Sequence, residues 1–270
     1  MPARVPRVIK TEALVLRHRR LGDADRIVTF LTPGRGKRDA VAKGVLRPRS
    51  KLAGHLEPAT RVEVVLAHGR TLDIVTQAQT LDAFGGLHED LDRLSTAMYL
   101  AEMADRFTIE QEDTGDLYAL LHAALLRITR GDGLHLVTRS FELALLDAAG
   151  FRPEWRHCIG CGAAVSAEAI AWSALGGGLV CPACRPAHPD AAALDAATLK
   201  VLRAIQDGPY EQAARIRLTP PLAAALERVM HRLVESVAER ELTGQRFITE
   251  ARRAGMAATA AAERDAGAAR

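Results

Sequence analysis

The first 80 residues contain five short β-rich segments joined mainly by turns, and this pattern restricts the fold more than any other feature of the chain. Pro33-Gly34-Arg35-Gly36 fits a hairpin turn between the second and third segments. Five strands in so short a stretch predict a small β-barrel of the OB type, with an SH3-like barrel as the alternative. The predicted strands cover residues 8–17, 27–32, 39–43, 61–67 and 71–76.

A basic stretch, residues 34–52, crosses the third strand and the long connection that follows it. Three glycines and Pro48 keep it from forming a continuous helix, and Asp39 is its only acidic residue. A loop of this kind attracts polyanions, although a solvated cationic loop is the alternative for such a run taken alone. The candidate nucleic-acid contacts are Arg35, Lys37, Arg38, Lys43, Arg47, Arg49 and Lys51.

Positive charge is concentrated at the N-terminal end of the chain. Residues 1–80 contain 16 Lys or Arg and 7 Asp or Glu, whereas residues 81–270 contain 20 and 26. This asymmetry indicates an N-terminal module that meets nucleic acid. Phe30 is the only aromatic residue before position 81, so a platform of rings for stacking bases is nearly absent. We therefore expect contacts mostly to phosphate, which tolerate any sequence and weaken with salt.

After Phe84-Gly85-Gly86 the spacing of apolar residues becomes helical. The apolar stripes predict a helical domain that packs around its own core. Asp195 is a candidate N-cap for one of these helices, and Gly208-Pro209 would end it. The apolar faces cover residues 91–101, 117–128, 134–148, 199–205 and 222–237.

Four cysteines form two C-x-x-C pairs whose separation is typical of structural zinc sites. A redox dithiol would need only one pair beside a βαβ pattern that is missing here, and a catalytic zinc ion needs an open coordination position. His157 and His188 are substitutes if one thiol fails to reach the ion. We expect one structural Zn²⁺ ion bound by Cys158, Cys161, Cys181 and Cys184.

Together these patterns predict an α+β chain of several domains. An OB barrel at residues 1–80 precedes a helical domain whose two parts, residues 81–156 and 189–250, are interrupted by a zinc finger at residues 157–188. Residues 251–270 include ten alanines and are predicted to be a disordered tail. No apolar run approaches the roughly 18 residues that a membrane-spanning helix needs, so no membrane contact is expected and the cytoplasm is the expected location.

Two stretches of the chain are distinctive. Residues 21–58 contain Ala-Lys-Gly at 42–44 and Arg-Pro-Arg-Ser-Lys at 47–51, and residues 141–162 read FELALLDAAGFRPEWRHCIGCG up to and through the first cysteine pair. They resemble the RecO family of bacterial DNA repair and recombination mediators, and the resemblance spans about residues 8–245. Ala59 departs from it, because the family tends to have an aromatic residue there.

The resemblance implies an N-terminal OB barrel, a helical domain and a four-cysteine zinc finger. It also implies binding of single- and double-stranded DNA, annealing of complementary strands, contact with the single-strand-binding protein, and action with RecR to load the RecA recombinase at the nucleoid. Carried onto this sequence, the zinc ligands would be the four cysteines, and the DNA contacts would be Arg35, Lys37, Arg38, Lys43, Arg47, Arg49 and Lys51.

Other functional classes have weaker support in the sequence. It contains no G-x-x-x-x-G-K-[ST] nucleotide-binding loop, so remodelling of DNA would draw on binding energy or on a partner, and no enzymatic activity is expected. A zinc-dependent hydrolase or deaminase is disfavoured because the first cysteine pair offers no H-x-E motif. A zinc-containing RNA-binding or transcription-associated protein built from the same barrel is the remaining alternative.

Overall fold

The computed structural model describes residues 8–108, 115–165 and 170–238 of the chain. The predicted tail at residues 251–270 lies outside these ranges. Strands come first and helices follow, as the change of apolar spacing predicts. The strands of the N-terminal part are β1 (Val8–Leu21), β2 (Asp25–Thr32), β3 (Gly36–Ala42), β4 (Arg61–Ala67) and β5 (Asp73–Asp82).

These five strands form a closed barrel in the order β1-β2-β3-β5-β4. Because β1 has 14 residues, its first half pairs with β4 and its second half with β2. The pairing of β3 with β5 is parallel, whereas β1 pairs antiparallel with both of its neighbours. A five-stranded barrel closed in this way is of the OB type, so the predicted architecture is confirmed.

Several predicted strand ends were wrong, including the start of β3, which lies at Gly36 and not at residue 39. β1 continues to Leu21 and β2 already begins at Asp25, which leaves a tight turn in which Gly22 adopts a φ of 61°. β5 continues to Asp82 instead of ending at residue 76. The side chains at these strand ends are polar, so the sequence pattern does not indicate a strand there. The strands continue because their backbone groups form hydrogen bonds with a neighbouring strand, whatever the side chain is. Arg19, for example, pairs with Ile27.

β1 contributes side chains to two hydrophobic cores. Ala13 and Val15 point into the barrel, where they pack with Phe30 and other residues of the barrel core. Leu14 and Leu16 are also buried, but they belong to the core formed by the helices. Side chains alternate between the two faces of a strand, so four consecutive buried residues indicate a strand covered on both sides. The outer face of the barrel therefore packs against the helical part.

The helical part confirms four of the five apolar stripes. The stripe predicted over residues 91–101 was wrong, because Leu91 and Met98 are exposed and the first helix instead buries a face that includes Ala97 and Leu100. Asp90 caps the first helix by accepting hydrogen bonds from the backbone of Asp92 and Arg93, and Asp195 caps the fourth by accepting one from Thr198. A short helix, α5, follows the predicted stop at Gly208-Pro209. The helices are α1 (Leu91–Arg106), α2 (Gly115–Thr129), α3 (Leu134–Ala148), α4 (Ala196–Asp207), α5 (Tyr210–Ala213) and α6, described over residues 220–238.

A small three-stranded sheet lies between α3 and α4. Its strands are β6 (Ala171–Ser173), β7 (Gly178–Val180) and β8 (Ala192–Ala193), in the order β7-β6-β8. Trp155, Trp172 and Leu179 from this region are buried in the same core as the helices. The inserted segment is therefore braced against the helices by apolar packing.

Candidate nucleic-acid surface and metal centre

The connection between β3 and β4, residues 43–60, closes one end of the barrel and is called here the basic connection. Val45 and Leu56 are fully buried in the barrel core, and Leu46 and Leu52 pack partly against it. These apolar side chains alternate with exposed cations. Lys43, Arg47, Arg49 and Lys51 are exposed and are called here the basic surface.

Hydrogen bonds fix the basic connection to the turn between β1 and β2. The Gly44 N–H donates to Asp25 Oδ1 at 2.7 Å, and the Leu46 N–H donates to the Ala24 carbonyl at 2.9 Å. Gly44 adopts a φ of 64°, a conformation that favours glycine. Two successive turns follow, closed by the Arg47 N–H on the Gly44 carbonyl and by the Ser50 N–H on the Arg47 carbonyl. The cations of the basic surface are thus presented by an ordered backbone.

The basic surface carries uncompensated charge. Within residues 8–108, 115–165 and 170–238, no carboxylate forms an ion pair with any of its four side chains. Cations that are exposed, close together and unpaired raise the local positive potential, which favours binding of a polyanion.

The other three predicted contacts lie elsewhere. Arg35 is exposed, but it lies in the turn between β2 and β3, at the opposite end of the barrel from the basic connection. Eight residues of β2 separate the two ends, a distance of roughly 25 Å. Lys37 Nζ lies 3.1 Å from Asp105 Oδ1 and donates to the Asp105 carbonyl at 2.6 Å. Arg38 Nη1 lies 3.3 Å from Asp73 Oδ2. The structure therefore brings together four of the seven predicted residues.

The four cysteines meet in one cluster. The sulfur atoms of Cys158, Cys161, Cys181 and Cys184 all lie within 4.8 Å of one another. Each C-x-x-C pair folds into a tight turn, closed by the Gly162 N–H on the Cys158 carbonyl and by the Arg185 N–H on the Cys181 carbonyl. Four thiols at this separation can hold one metal ion in tetrahedral coordination.

The surroundings of the thiols favour a bound cation. Burial would raise the pKa of Cys158, but backbone N–H groups directed at its sulfur, first that of Cys181, outweigh burial and lower this pKa to about 6. Hydrogen bonds of the Cys184 thiol with Cys181 and Cys161 raise its pKa to about 12. Ionisation of one sulfur thus opposes ionisation of another. A divalent cation would offset this repulsion and hold all four as thiolates.

Gly160 allows the two cysteine pairs to approach each other. A Cβ atom at this position would lie 3.1 Å from Cys184 Sγ and 3.7 Å from His188 Nε2. His188 therefore lies beside the cluster, and His157 Nδ1 lies 3.7 Å from Glu154 Oε1. The potential ligand atoms that lie within 4.8 Å of one another are the four cysteine sulfurs, and neither histidine belongs to this group.

Comparison with known proteins identifies the family. The family model described as Recombination protein O N terminal matches residues 7–84, and the one described as Recombination protein O C terminal matches residues 88–246. The DNA repair protein RecO of Roseiflexus sp. (strain RS-1) is 36% identical over 246 residues, which cover 91% of this chain and 87% of the relative. The chain belongs to the RecO family. A second relative, the DNA repair protein RecO of Heliobacterium modesticaldum, is 36% identical over 239 residues, covering 86% of each chain.

The RecO N-terminal match contains the whole barrel with its basic surface, and the RecO C-terminal match contains the helices and the cysteine cluster. A function in DNA repair follows from membership of the family. None of the helices that the structure describes has both the length and the apolar character needed to cross a bilayer.

The structure also reveals basic residues of this RecO chain that sequence reasoning missed. Arg20 and Arg26 are cross-strand neighbours near the turn between β1 and β2, and Arg26 pairs in turn with Ala42, next to Lys43. They therefore adjoin the basic surface. The run Arg17-His18-Arg19-Arg20 is the signal available in the sequence, but the predicted strand ends at Arg17, whereas the structure places the whole run in a hairpin.

Lys37→Met tests whether Lys37 stabilises the fold and, unlike the basic surface, does not contact DNA. Its replacement leaves the partly buried Asp105 with Arg17 as its remaining partner, so we expect the free energy of unfolding to fall by about 1–2 kcal/mol. DNA affinity should stay close to that of the unmodified chain. Urea unfolding and DNA titration measure the two effects.

Arg49→Met is the matched control for Lys37→Met, because it removes the same charge from the basic surface. It should weaken DNA binding and leave the free energy of unfolding unchanged. If Lys37→Met weakened DNA binding as much as Arg49→Met without altering unfolding, the structural role of Lys37 would be refuted.

Proposed function

We propose that this chain is a non-catalytic DNA-binding mediator of recombination. It binds single- and double-stranded DNA at the end of the OB barrel and anneals complementary strands. The observation that carries the proposal is the basic surface: four exposed cations without a carboxylate partner in the described residues, held on an ordered connection. Membership of a DNA repair family supports DNA as the polyanion.

The barrel favours contacts to phosphate over contacts to bases. Phe30, the only aromatic residue of the barrel, is fully buried in the barrel core and offers no ring for stacking. Binding through cations alone depends little on base sequence and falls steeply with salt. Neutralised phosphates also repel each other less, so two strands held along the basic surface can pair. Binding energy thus drives annealing without a nucleotide cofactor.

The cysteine cluster holds one Zn²⁺ ion with a structural role in this proposal. Cys158, Cys161, Cys181 and Cys184 supply four thiolates, the ligand set of closed zinc sites, and leave no coordination position for a substrate. The ion ties together the two turns of the insertion, which packs on the helices through Trp172. The ion stabilises the fold and takes no part in a reaction.

We assign a separate role to each region of the chain. We assign DNA binding to residues 1–80, partner docking to the helical residues 81–156 and 189–250, and bracing of that region to the zinc finger at residues 157–188. The partners are RecR, the single-strand-binding protein and, indirectly, RecA, with action in the cytoplasm at the nucleoid. Family membership supports these partners, since the chain is matched along nearly its whole length.

Strand annealing tests the proposal. Complementary oligonucleotides coated with single-strand-binding protein should anneal faster with the purified chain than without it, and the product can be followed by fluorescence quenching between labels on the two strands. A chain that bound DNA but left the annealing rate unchanged would refute the annealing part. RNA oligonucleotides added as competitors test the RNA-binding alternative, which requires them to displace DNA at lower concentration than unlabelled DNA does.

A further inference from the structure

The barrel end that carries the basic surface also contains an acid, Glu57. It is the only carboxylate in the basic connection. Arg26 Nη1 donates a hydrogen bond to Glu57 Oε1 at 3.0 Å, and His18 Nε2 lies 3.3 Å from Glu57 Oε2. An acid placed among cations that bind a polyanion weakens binding, so its position calls for a functional reason.

Strand register explains why basic side chains lie close to Glu57. Val28 and Phe30 point into the barrel core, and side chains alternate along β2, so Arg26 continues the same inward row. His18 pairs with Val28, and Arg20 pairs with Arg26. Three basic side chains thus share the inward face of the strands where the barrel interior opens. This place is called here the barrel mouth.

Glu57 is held at the barrel mouth, yet it is free to leave. Its side chain is 50% exposed, whereas those of Arg26 and His18 are 22% and 24% exposed. Burial raises the pKa of Glu57, but hydrogen bonds with Arg26 and His18 outweigh it and lower the pKa below its ordinary value. The carboxylate is therefore ionised at neutral pH and neutralises Arg26 in the DNA-free chain. A pair so open to solvent contributes little to stability.

We propose that Glu57 occupies the place of a DNA phosphate at Arg26, and that DNA binds the barrel mouth by displacing it into water. This inference rests on the proposed function in DNA binding. Carboxylate and phosphate both accept charge-assisted hydrogen bonds from a guanidinium, so the exchange replaces one anion by another on the same donor. Arg26 then contacts a phosphate only after DNA has displaced Glu57. Glu57 therefore lowers the affinity of the chain for DNA.

Glu57→Gln tests the displacement. The amide keeps the shape of the side chain but competes poorly for Arg26, so DNA should bind about three- to tenfold tighter at low salt. The plot of log affinity against log salt should keep nearly the same slope, because Arg26 neutralises the same phosphate in both proteins. Glu63→Gln is the matched control, since Glu63 pairs with Lys10 at 2.9 Å on the same barrel and its replacement changes the net charge equally. We expect it to change the affinity less than about twofold.

The double variant Arg26→Gln/Glu57→Gln decides the mechanism. If Glu57 competes for Arg26, Glu57→Gln gains little affinity once Arg26 is gone. Equal tightening by Glu57→Gln and Glu63→Gln, or equal tightening with and without Arg26, would overturn the inference. Glu57→Ser gives a second test of the same kind should the glutamine variant fail to fold. A chain that binds DNA normally but is insensitive to Glu57→Gln refutes this inference alone, whereas a chain that binds no DNA refutes the proposed function.

Discussion

Replacing Arg47, Arg49 and Lys51 together with glutamate should weaken DNA binding by about a hundredfold or more, and equally for unrelated DNA sequences. All three side chains are exposed and unpaired within the described residues, so each is free to neutralise a phosphate. Loss of three such contacts should also flatten the dependence of log affinity on log salt by about 3. Fluorescence anisotropy with labelled single- and double-stranded oligonucleotides at several salt concentrations measures both quantities.

A matched triple variant in the helical part controls for net charge. Arg130, Lys200 and Arg228 are also exposed, and their replacement with glutamate changes the net charge by the same amount. Circular dichroism checks that both variants are folded. Equal losses of affinity in the two variants would show that only the overall charge matters, and unchanged binding in the first would remove the basic surface from the interface.

Cys158→Ser should abolish stoichiometric zinc binding and lower the melting temperature by more than about 10 °C. Structural zinc ions contribute roughly 10 kcal/mol or more in isolated zinc fingers, and in a chain of this size about 1 kcal/mol corresponds to about 2–4 °C. Cys158 is the buried member of the cluster, and the insertion shares its core with the helices through Trp172 and Leu179. Loss of the ion should therefore loosen the helical part as well. Elemental analysis of the purified chain and thermal unfolding measure these effects.

His157→Ala is the control for the zinc experiment, because this histidine is adjacent in sequence but lies outside the cluster of potential ligands. It should retain one zinc ion per chain and a nearly unchanged melting temperature. DNA binding at low temperature should survive Cys158→Ser within about twofold, since the barrel core contains no residue of the insertion. Full zinc content in Cys158→Ser, or a melting temperature equal to that of the unmodified chain, would contradict the assigned role.

Local patterns in the sequence were sufficient to predict the barrel, the helices and the metal cluster. Alternating apolar residues and the turn at Gly34 indicate strands, and the spacing after Phe84 indicates helices. The two C-x-x-C pairs predict a cluster because each pair forms a turn from neighbouring residues. The two pairs also approach each other in the structure, and their sulfur atoms lie within 4.8 Å.

The composition of the basic surface depends on information that local patterns lack. Lys37 and Asp105 are 68 residues apart, and their contact depends on how the barrel docks on α1. Arg35 belongs to the same basic stretch as Lys43, yet an antiparallel strand carries the two to opposite ends of the barrel. Arg20 and Arg26 become neighbours only through strand pairing. Charge along the chain thus predicts that a basic surface exists, whereas strand register decides which residues form it.

Because β1 is buried on both faces, the barrel and the helices are held in a fixed arrangement. Its side chains are shared between barrel and helices, and the segment that leads from β5 to α1 is itself anchored by the buried Phe84 and Leu87. DNA seated on the barrel and a protein seated on the helices would consequently keep one separation and one angle. Under the proposed function, DNA and a partner protein are thus held in a geometry that is set by the fold and not by a tether.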